Sequence, residues 1–197
     1  MNSNAANSAN RLTAIVIAAA APDGDGAANA RERLIEHLAW TLAQFPFRHF
    51  AVIGTPGNGR HDSGHVSVLA DARPIATALR ELPGGLFVVT GDMPFITTDM
   101  VEWLLGHDDP AADAVVPRYG QGVEPLFAIY NPGFLTHLDA ALAEPGDALL
   151  NALDTARVRY VDTSEGLARS FDRVESEEAC ARAVAGLEKK FTDPSRL

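Results

Sequence analysis

Hydrophobic positions along the chain form short continuous runs that alternate with segments where they recur every three or four residues. Arg11 to Ala21 (RLTAIVIAAAA) is almost unbroken in its apolar character, the pattern of a strand buried on both faces. A PDGDG loop follows, and then Leu34, Leu38 and Leu42, with Ile35 and Phe45 beside them, mark one face of an amphipathic helix. Phe50 to Gly54 (FAVIG) is a second strand, and the polar, glycine-rich loop TPGNGRHDSGH closes it. His65 to Asp71 (HVSVLAD) is a third short strand, and Pro74 opens a helix that runs to Leu82. Gly84-Gly85 introduces Leu86-Phe87-Val88-Val89, a fourth strand that ends in Thr90-Gly91-Asp92, where Pro94 stops it from continuing. Thr97 or Thr98 is placed to cap a helix carrying Met100, Val101, Trp103, Leu104 and Leu105.

The second half is less regular. Ala114 to Pro117 and Val123 to Tyr130 are strand-like and separated by RYGQG, which predicts a hairpin or antiparallel excursion. Helices are predicted over Phe134 to Leu142 and near Ala148 to Leu153, a late strand over Arg157 to Val161, and a final helix over Ser176 to Lys190. This alternation predicts a single Rossmann-like, three-layer α/β domain whose mixed sheet is mostly parallel with one antiparallel excursion. No repeat or linker divides it. The expected organisation is a disordered leader over 1–10, the folded domain over 11–191 and a tail over 192–197. The leader MNSNAANSAN lacks the basic start and apolar centre of a signal peptide.

Composition narrows the classes of ligand. A hydrophobic content of 47% with 21% charged residues suits a globular core, and the formal net charge of -10 repels DNA, RNA and anionic membranes. No nucleic-acid partner and no membrane association are expected. The apolar run Thr13 to Ala21 is too short to cross a bilayer, so a cytoplasmic location is expected. A small phosphorylated ligand remains compatible if backbone amides or a divalent cation supply positive charge. Cys180 is the only cysteine, which excludes an intramolecular disulfide and a cysteine-based zinc site; its helical pattern makes it a small apolar residue.

In open parallel sheets ligands bind beyond the carboxyl ends of the strands, which singles out Asp92 and Asp71. Mg²⁺ takes one or two carboxylates together with phosphate oxygens, so Asp92 is a candidate metal ligand; the alternative is a loop aspartate that caps the helix after Pro94. The segment Arg60 to His65, with His61, Asp62 and His65, reads as a solvated loop. The sequence gives His37, His49, His107 and His137 no recognisable catalytic or metal-binding context, and they read as surface or structural residues. No GxSxG, GxxxxGK[ST] or GxGxxG occurs, so serine-hydrolase chemistry and those phosphate loops have no support. Trp40 and Trp103 read as core or interface, and Glu175, Glu177 and Glu178 as an acidic helix start.

Several of these segments, in order, resemble the molybdenum cofactor guanylyltransferases and their cytidylyltransferase relatives of the nucleotidyltransferase superfamily. Thr13 to Ala21 followed by Arg33-Leu34-Ile35-Glu36-His37 is similar to the opening strand and "PLLEH" helix. Val68 to Leu79 is similar to "PD…GPLAGLLAAL", and Val88 to Phe95 to "(C/G)D(M/T)PF". Gln121 to Tyr130 resembles "QPLFALY", and Phe171 to Glu178 occupies the place of "FxNVNTPED". The resemblance implies that GMP or CMP is transferred from GTP or CTP to molybdopterin with Mg²⁺. It further implies Asp92 as the catalytic metal ligand and Glu175 as a second metal ligand. Ala18, Ala19, Ala20 and Asp71 would lie at the nucleotide, and Gln121, Glu124 and Pro125 on the pterin side. A molybdoenzyme or a cofactor-biosynthesis protein is the implied protein partner.

One segment departs from the family pattern. Where the family carries "LAGGxSxRMGxDK", this chain reads Ile17-Ala18-Ala19-Ala20-Ala21-Pro22-Asp23-Gly24-Asp25-Gly26, with alanines for both first glycines and no basic residue. Two acids beside a polyphosphate are unfavourable by several kcal/mol unless a cation intervenes. Arg31 and Arg33, or a metal on Asp23 and Asp25, are the open compensations. The departure also leaves open a catalytically silent homologue that binds molybdopterin or a molybdoenzyme.

Overall fold

The apolar runs pair into one seven-stranded sheet in the computed structural model, which describes residues 1, 3–18, 25–53, 72–174 and 176–192. Strand β1 (Leu12–Ile17) lies between β2 (His49–Ile53) and β3 (Gly85–Thr90) and is parallel to both. Next to β3 comes β6 (Phe127–Tyr130), antiparallel to it and to β4 (Ala114–Tyr119). The opposite flank of β4 carries β7 (Val158–Asp162) in parallel. The short β5 (Gly122–Val123) folds back on β4 through Gly120 and Gln121, in line with β6. Strands β5 and β6 are thus the antiparallel excursion in an otherwise parallel sheet with helices on both sides, the architecture the pattern predicts. All five parallel strands end on one rim, and β6 starts there.

Continuous apolar sequence in β1 and β3 follows from their position. Each has a strand on either side and cover on both faces, and every residue of β3 is buried. The Phe87 ring at its centre meets Phe127 edge-on, with centroids 5.5 Å apart, and Phe47 at 5.4 Å.

Helix α2 (Asp25–Leu42) buries Leu34, Leu38 and Leu42 as the spacing predicts. Helix α3 (Arg73–Glu81) carries Pro74 in its first turn. In α4 (Thr98–Gly106) Thr97 is the cap, its Oγ1 accepting from Met100 N at 3.4 Å. The helices α5 (Phe134–Leu142) and α6 (Ala148–Thr155) pack on each other, and α8 (Glu177–Thr192) packs on α2. That last contact encloses a second, smaller core of Ala30, Leu34, Val174, Cys180, Ala183 and Val184. Cys180 is buried in it, and burial pushes its thiol pKa up. Asp147 caps α6 by accepting from Leu149 N at 3.0 Å and Leu150 N at 3.1 Å. Asp147→Ala is therefore expected to remove about 1 kcal/mol of stability and about 2–4 °C of melting temperature, read by thermal unfolding.

Residues 1–10, expected as a disordered leader, depart from that expectation. Residues 3–11 form helix α1 (Ser3–Arg11), and Ala5 and Ala9 are fully buried. One turn separates these two methyl groups, so they share a face narrow enough for α1 to seat closely on α4. At the helix end the Arg11 guanidinium grips the Asp108 carboxylate and donates to Asn131 Oδ1 at 2.8 Å. The late α7 (Glu165–Ala168) and the 3₁₀ turn Arg169–Phe171 after it are further elements that no periodicity announced. The strand expected over His65 to Asp71 and the tail beyond Thr192 lie outside the described residues. Among the described residues, no helix is long and apolar enough to cross a membrane.

Candidate active site at the carboxyl rim of the sheet

Strand β3 ends at Thr90 and the chain turns at once. Gly91 N donates to Ile17 O at 2.8 Å, and Met93 N donates back to Thr90 O at 3.3 Å. The turn directs Asp92 inward, where it is 4% exposed. Its Oδ1 is shielded from solvent and has no hydrogen-bond partner among the described residues. A buried carboxylate oxygen without a donor is unfavourable by about 1–3 kcal/mol or more, and a bound cation is one way to satisfy it. The residues fit a metal in that sense. Among the described residues no group of three or more metal-ligating side chains gathers, and Mg²⁺ needs only one or two carboxylates beside the phosphate oxygens of its ligand.

Ala18 adjoins this turn: its Cα lies 3.7 Å from where a side chain on Gly91 would begin. Its amide, however, donates to Ile53 O at 2.8 Å, so Ala18 presents surface rather than an N–H group to a ligand. Ala19, Ala20, Asp71 and Glu175 lie outside the described residues, as do Asp23 and the Arg60 to His65 loop.

Glu124 approaches from the opposite side. Between β5 and β6, Glu124 N still donates to Pro117 O of β4 at 3.0 Å, and then Pro125, which has no N–H to pair, and Leu126 leave the ladder. Glu124 Oε1 accepts from Leu126 N at 2.9 Å and from Arg173 Nη2 at 2.8 Å, and its side chain is 5% exposed. Burial raises the Glu124 pKa, and the nearby Asp92 charge adds to that; Arg173 and the Leu126 N–H pull the other way. The two carboxylates are therefore electrostatic neighbours. Pro125 is buried, and its carbonyl accepts from the Tyr130 hydroxyl at 2.7 Å. Gln121 stands apart, exposed at the β4–β5 turn. Of the expected site residues, the structure thus gathers Asp92, Ala18, Glu124 and Pro125 at one rim and leaves Gln121 at a hairpin tip.

Sequence reasoning marked Phe171 to Glu178 by its resemblance but missed the contacts by which residues 171–174 close the site. Residues 171–174 cross the rim as a strap. Val174 N donates to Asp92 O at 2.9 Å, Arg173 pairs with Glu124, and the Phe171 ring lies on Tyr119 at 5.9 Å and on Phe127 at 5.5 Å. Next to the strap a cavity of about 590 Å³ opens between the first turn of α4 and the β7–α7 connection, lined by Thr97, Asp99, Trp103, Thr163, Ser164 and Ser170 among others. Pairs such as Glu124 and Arg173 leave no signal in spacing. The legible signal was the resemblance of Phe171 to Glu178 to a terminal motif, which gave Arg173 no role.

The mostly parallel sheet with its antiparallel excursion of β5 and β6 and helices on both sides matches the nucleotidyltransferase class of α/β fold. The solved structure of molybdopterin-guanine dinucleotide biosynthesis protein A from Archaeoglobus fulgidus has this fold. It superposes with a TM-score of 0.61 at 19% identity, over 90% of this chain and 100% of that one. The family described as MobA-like NTP transferase domain matches residues 27–158, and the chain belongs to it. A relative from Pelotomaculum thermopropionicum, named "Probable molybdenum cofactor guanylyltransferase", is 28% identical over 137 residues, 66% of each chain. One of the same name from Natronomonas pharaonis is 35% identical over 101 residues, 49% of this chain and 50% of the relative. The chain spans about two thirds and one half of the length of these curated relatives.

Proposed function

We propose that the protein is a nucleotidyltransferase of molybdenum cofactor biosynthesis that joins GMP, or CMP, to molybdopterin. The observation that carries this reading is the buried Asp92 at the end of β3, whose Oδ1 has no partner among the described residues. In the reaction an oxygen of the acceptor phosphate bonds to the α-phosphorus of GTP or CTP. The bond from that phosphorus to the bridging oxygen breaks, and pyrophosphate leaves with the electron pair. Mg²⁺, held by Asp92 with Glu175 as second ligand, would offset the charge of the phosphates. Asp71 and the alanines after β1 are assigned to the nucleotide. Glu124, whose Oε1 is engaged by Leu126 N and Arg173, and Pro125, whose carbonyl is engaged by Tyr130, form the pterin-side wall, with Gln121 at its outer edge.

A second reading has specific support. The Ala18 amide is engaged by β2, and the loop beyond it carries acids and no base, which disfavours a triphosphate and favours a silent homologue that binds molybdopterin or a molybdoenzyme. Calorimetric titration with GTP and CTP, with and without Mg²⁺, separates the two. Binding that requires Mg²⁺, followed by pyrophosphate release when molybdopterin is added, is the expected result. Absence of nucleotide binding under both conditions overturns the enzyme reading, and co-purification of molybdopterin or a molybdoenzyme would then favour the second.

A further inference from the structure

The strap over residues 171–174 is tied to the site by contacts of unequal strength. Glu124 is the fixed pole of its ion pair, because the same Oε1 that accepts from Arg173 also accepts from the Leu126 amide two residues on. Arg173 is the pole that belongs to the strap, and its side chain is only 17% exposed. A charged, largely buried hydrogen bond shifts a local equilibrium by about 10- to 100-fold, whereas a neutral backbone bond such as Val174 N–H to Asp92 O shifts it by roughly 2- to 10-fold. The ion pair is therefore the strongest polar contact holding the strap closed, beside the buried Phe171 ring and Val174 side chain. When it is closed, the Val174 amide holds the carbonyl of Asp92 and with it the turn that aims the Asp92 carboxylate.

We infer that Arg173 is a positioning residue for Asp92: by pairing with Glu124 it docks the strap whose Val174 amide fixes the turn bearing the candidate metal ligand. The inference draws on the proposed function only for what Asp92 binds. Arg173 acts through the main chain and touches neither nucleotide nor acceptor in this role. A merely structural ion pair would behave differently, because its effect would vanish once the stranded partner charge is also removed.

The test uses Arg173→Met and the double variant Arg173→Met/Glu124→Gln. In the single variant Glu124 is left buried without its counter-charge, and the melting temperature falls. In the double variant Gln keeps the acceptor for Leu126 N and the stranded charge is gone, so the melting temperature recovers. Amide hydrogen exchange at Val174 is expected to be at least about tenfold faster than in the unaltered protein in both variants. Mn²⁺ affinity, followed by electron paramagnetic resonance, is expected to fall at least about tenfold in both. If Val174 protection and Mn²⁺ affinity return together with the melting temperature in the double variant, the pair is only a stability feature and the inference is overturned. Should the unaltered protein bind no Mn²⁺, the metal assignment of Asp92 fails by itself, while the exchange of Val174 still decides the role of Arg173.

Discussion

Asp92→Asn is expected to lower nucleotidyl transfer by about 100- to 1,000-fold, the scale seen when one preorganised charge-stabilising group is removed from a phosphoryl or acyl transfer site. The same variant is expected to keep the melting temperature of the unaltered protein or exceed it slightly. The two outcomes have one cause. Asn preserves the shape of the side chain and the main-chain bond from Val174, so the turn after β3 is undisturbed. It removes a carboxylate whose Oδ1 is buried without a donor and whose charge opposes that of Glu124. In the absence of ligand, that removal relieves an unfavourable term. The stabilisation that Mg²⁺ and nucleotide confer on the unaltered protein should be missing from the variant, since only binding to the folded state raises the melting temperature. Thermal unfolding with and without Mg²⁺-GTP, beside pyrophosphate release, reads all three quantities. A fall of several degrees without ligand would mean that Asp92 is a structural aspartate of the turn, and the functional assignment would lose its support.

What the sequence made legible follows burial and local geometry. Strands β1 and β3 announced themselves as apolar runs because they lie inside the sheet with both faces covered, and α5 matched its predicted bounds of Phe134 and Leu142. Pro74 and Thr97 marked helix starts because their effects are confined to one turn. The position of Asp92 at the end of a buried strand was readable for the same reason. Its orphaned oxygen was not, because a missing partner is a property of the whole surroundings.

Failures came where neighbours distant in sequence decide the outcome. The stretch Val123 to Tyr130 reads as one strand, yet Pro125 breaks it into β5 and β6 and turns Glu124 toward a partner 49 residues away. Only the resemblance implies Ala18 at the nucleotide, and nothing in periodicity announces that its amide donates to Ile53 O of β2. Residues 3–11 carry so little apolar surface that only contact with α4 shows which face is buried.

Gly84→Ala is expected to destabilise the fold by about 3 kcal/mol or more, a fall of about 6–12 °C in melting temperature for a chain of this size. Two effects combine at this position. Gly84 has φ +82°, where an L side chain is strained, and a Cβ there would lie 2.3 Å from the backbone oxygen of Arg11. The clash has no soft exit. Arg11 ends α1 and starts the chain into β1, and its guanidinium is held by Asp108 and by Asn131, so its carbonyl can move only with β1. Leu12 is paired with Gly85 across the parallel ladder, so β1 in turn can move only with β3. Two other glycines separate strain from clash. Gly120 has φ +55° but open space where its side chain would be, so Gly120→Ala should show the backbone strain alone, about 1–2 kcal/mol. Gly106 ends α4 with open space and no such φ, so Gly106→Ala should be neutral or stabilising by up to about 1 kcal/mol. Melting curves of the three variants, taken without ligand, test the ordering directly. If Gly84→Ala melts no lower than Gly120→Ala, then the start of β1 yields to a methyl group and the junction of α1 with the sheet is softer than its bonds imply. If the predicted gap appears, the rigidity belongs to the β1–β3 pair itself, the same pair whose far ends bring Ile17 and Gly91 into contact and so set the place of Asp92.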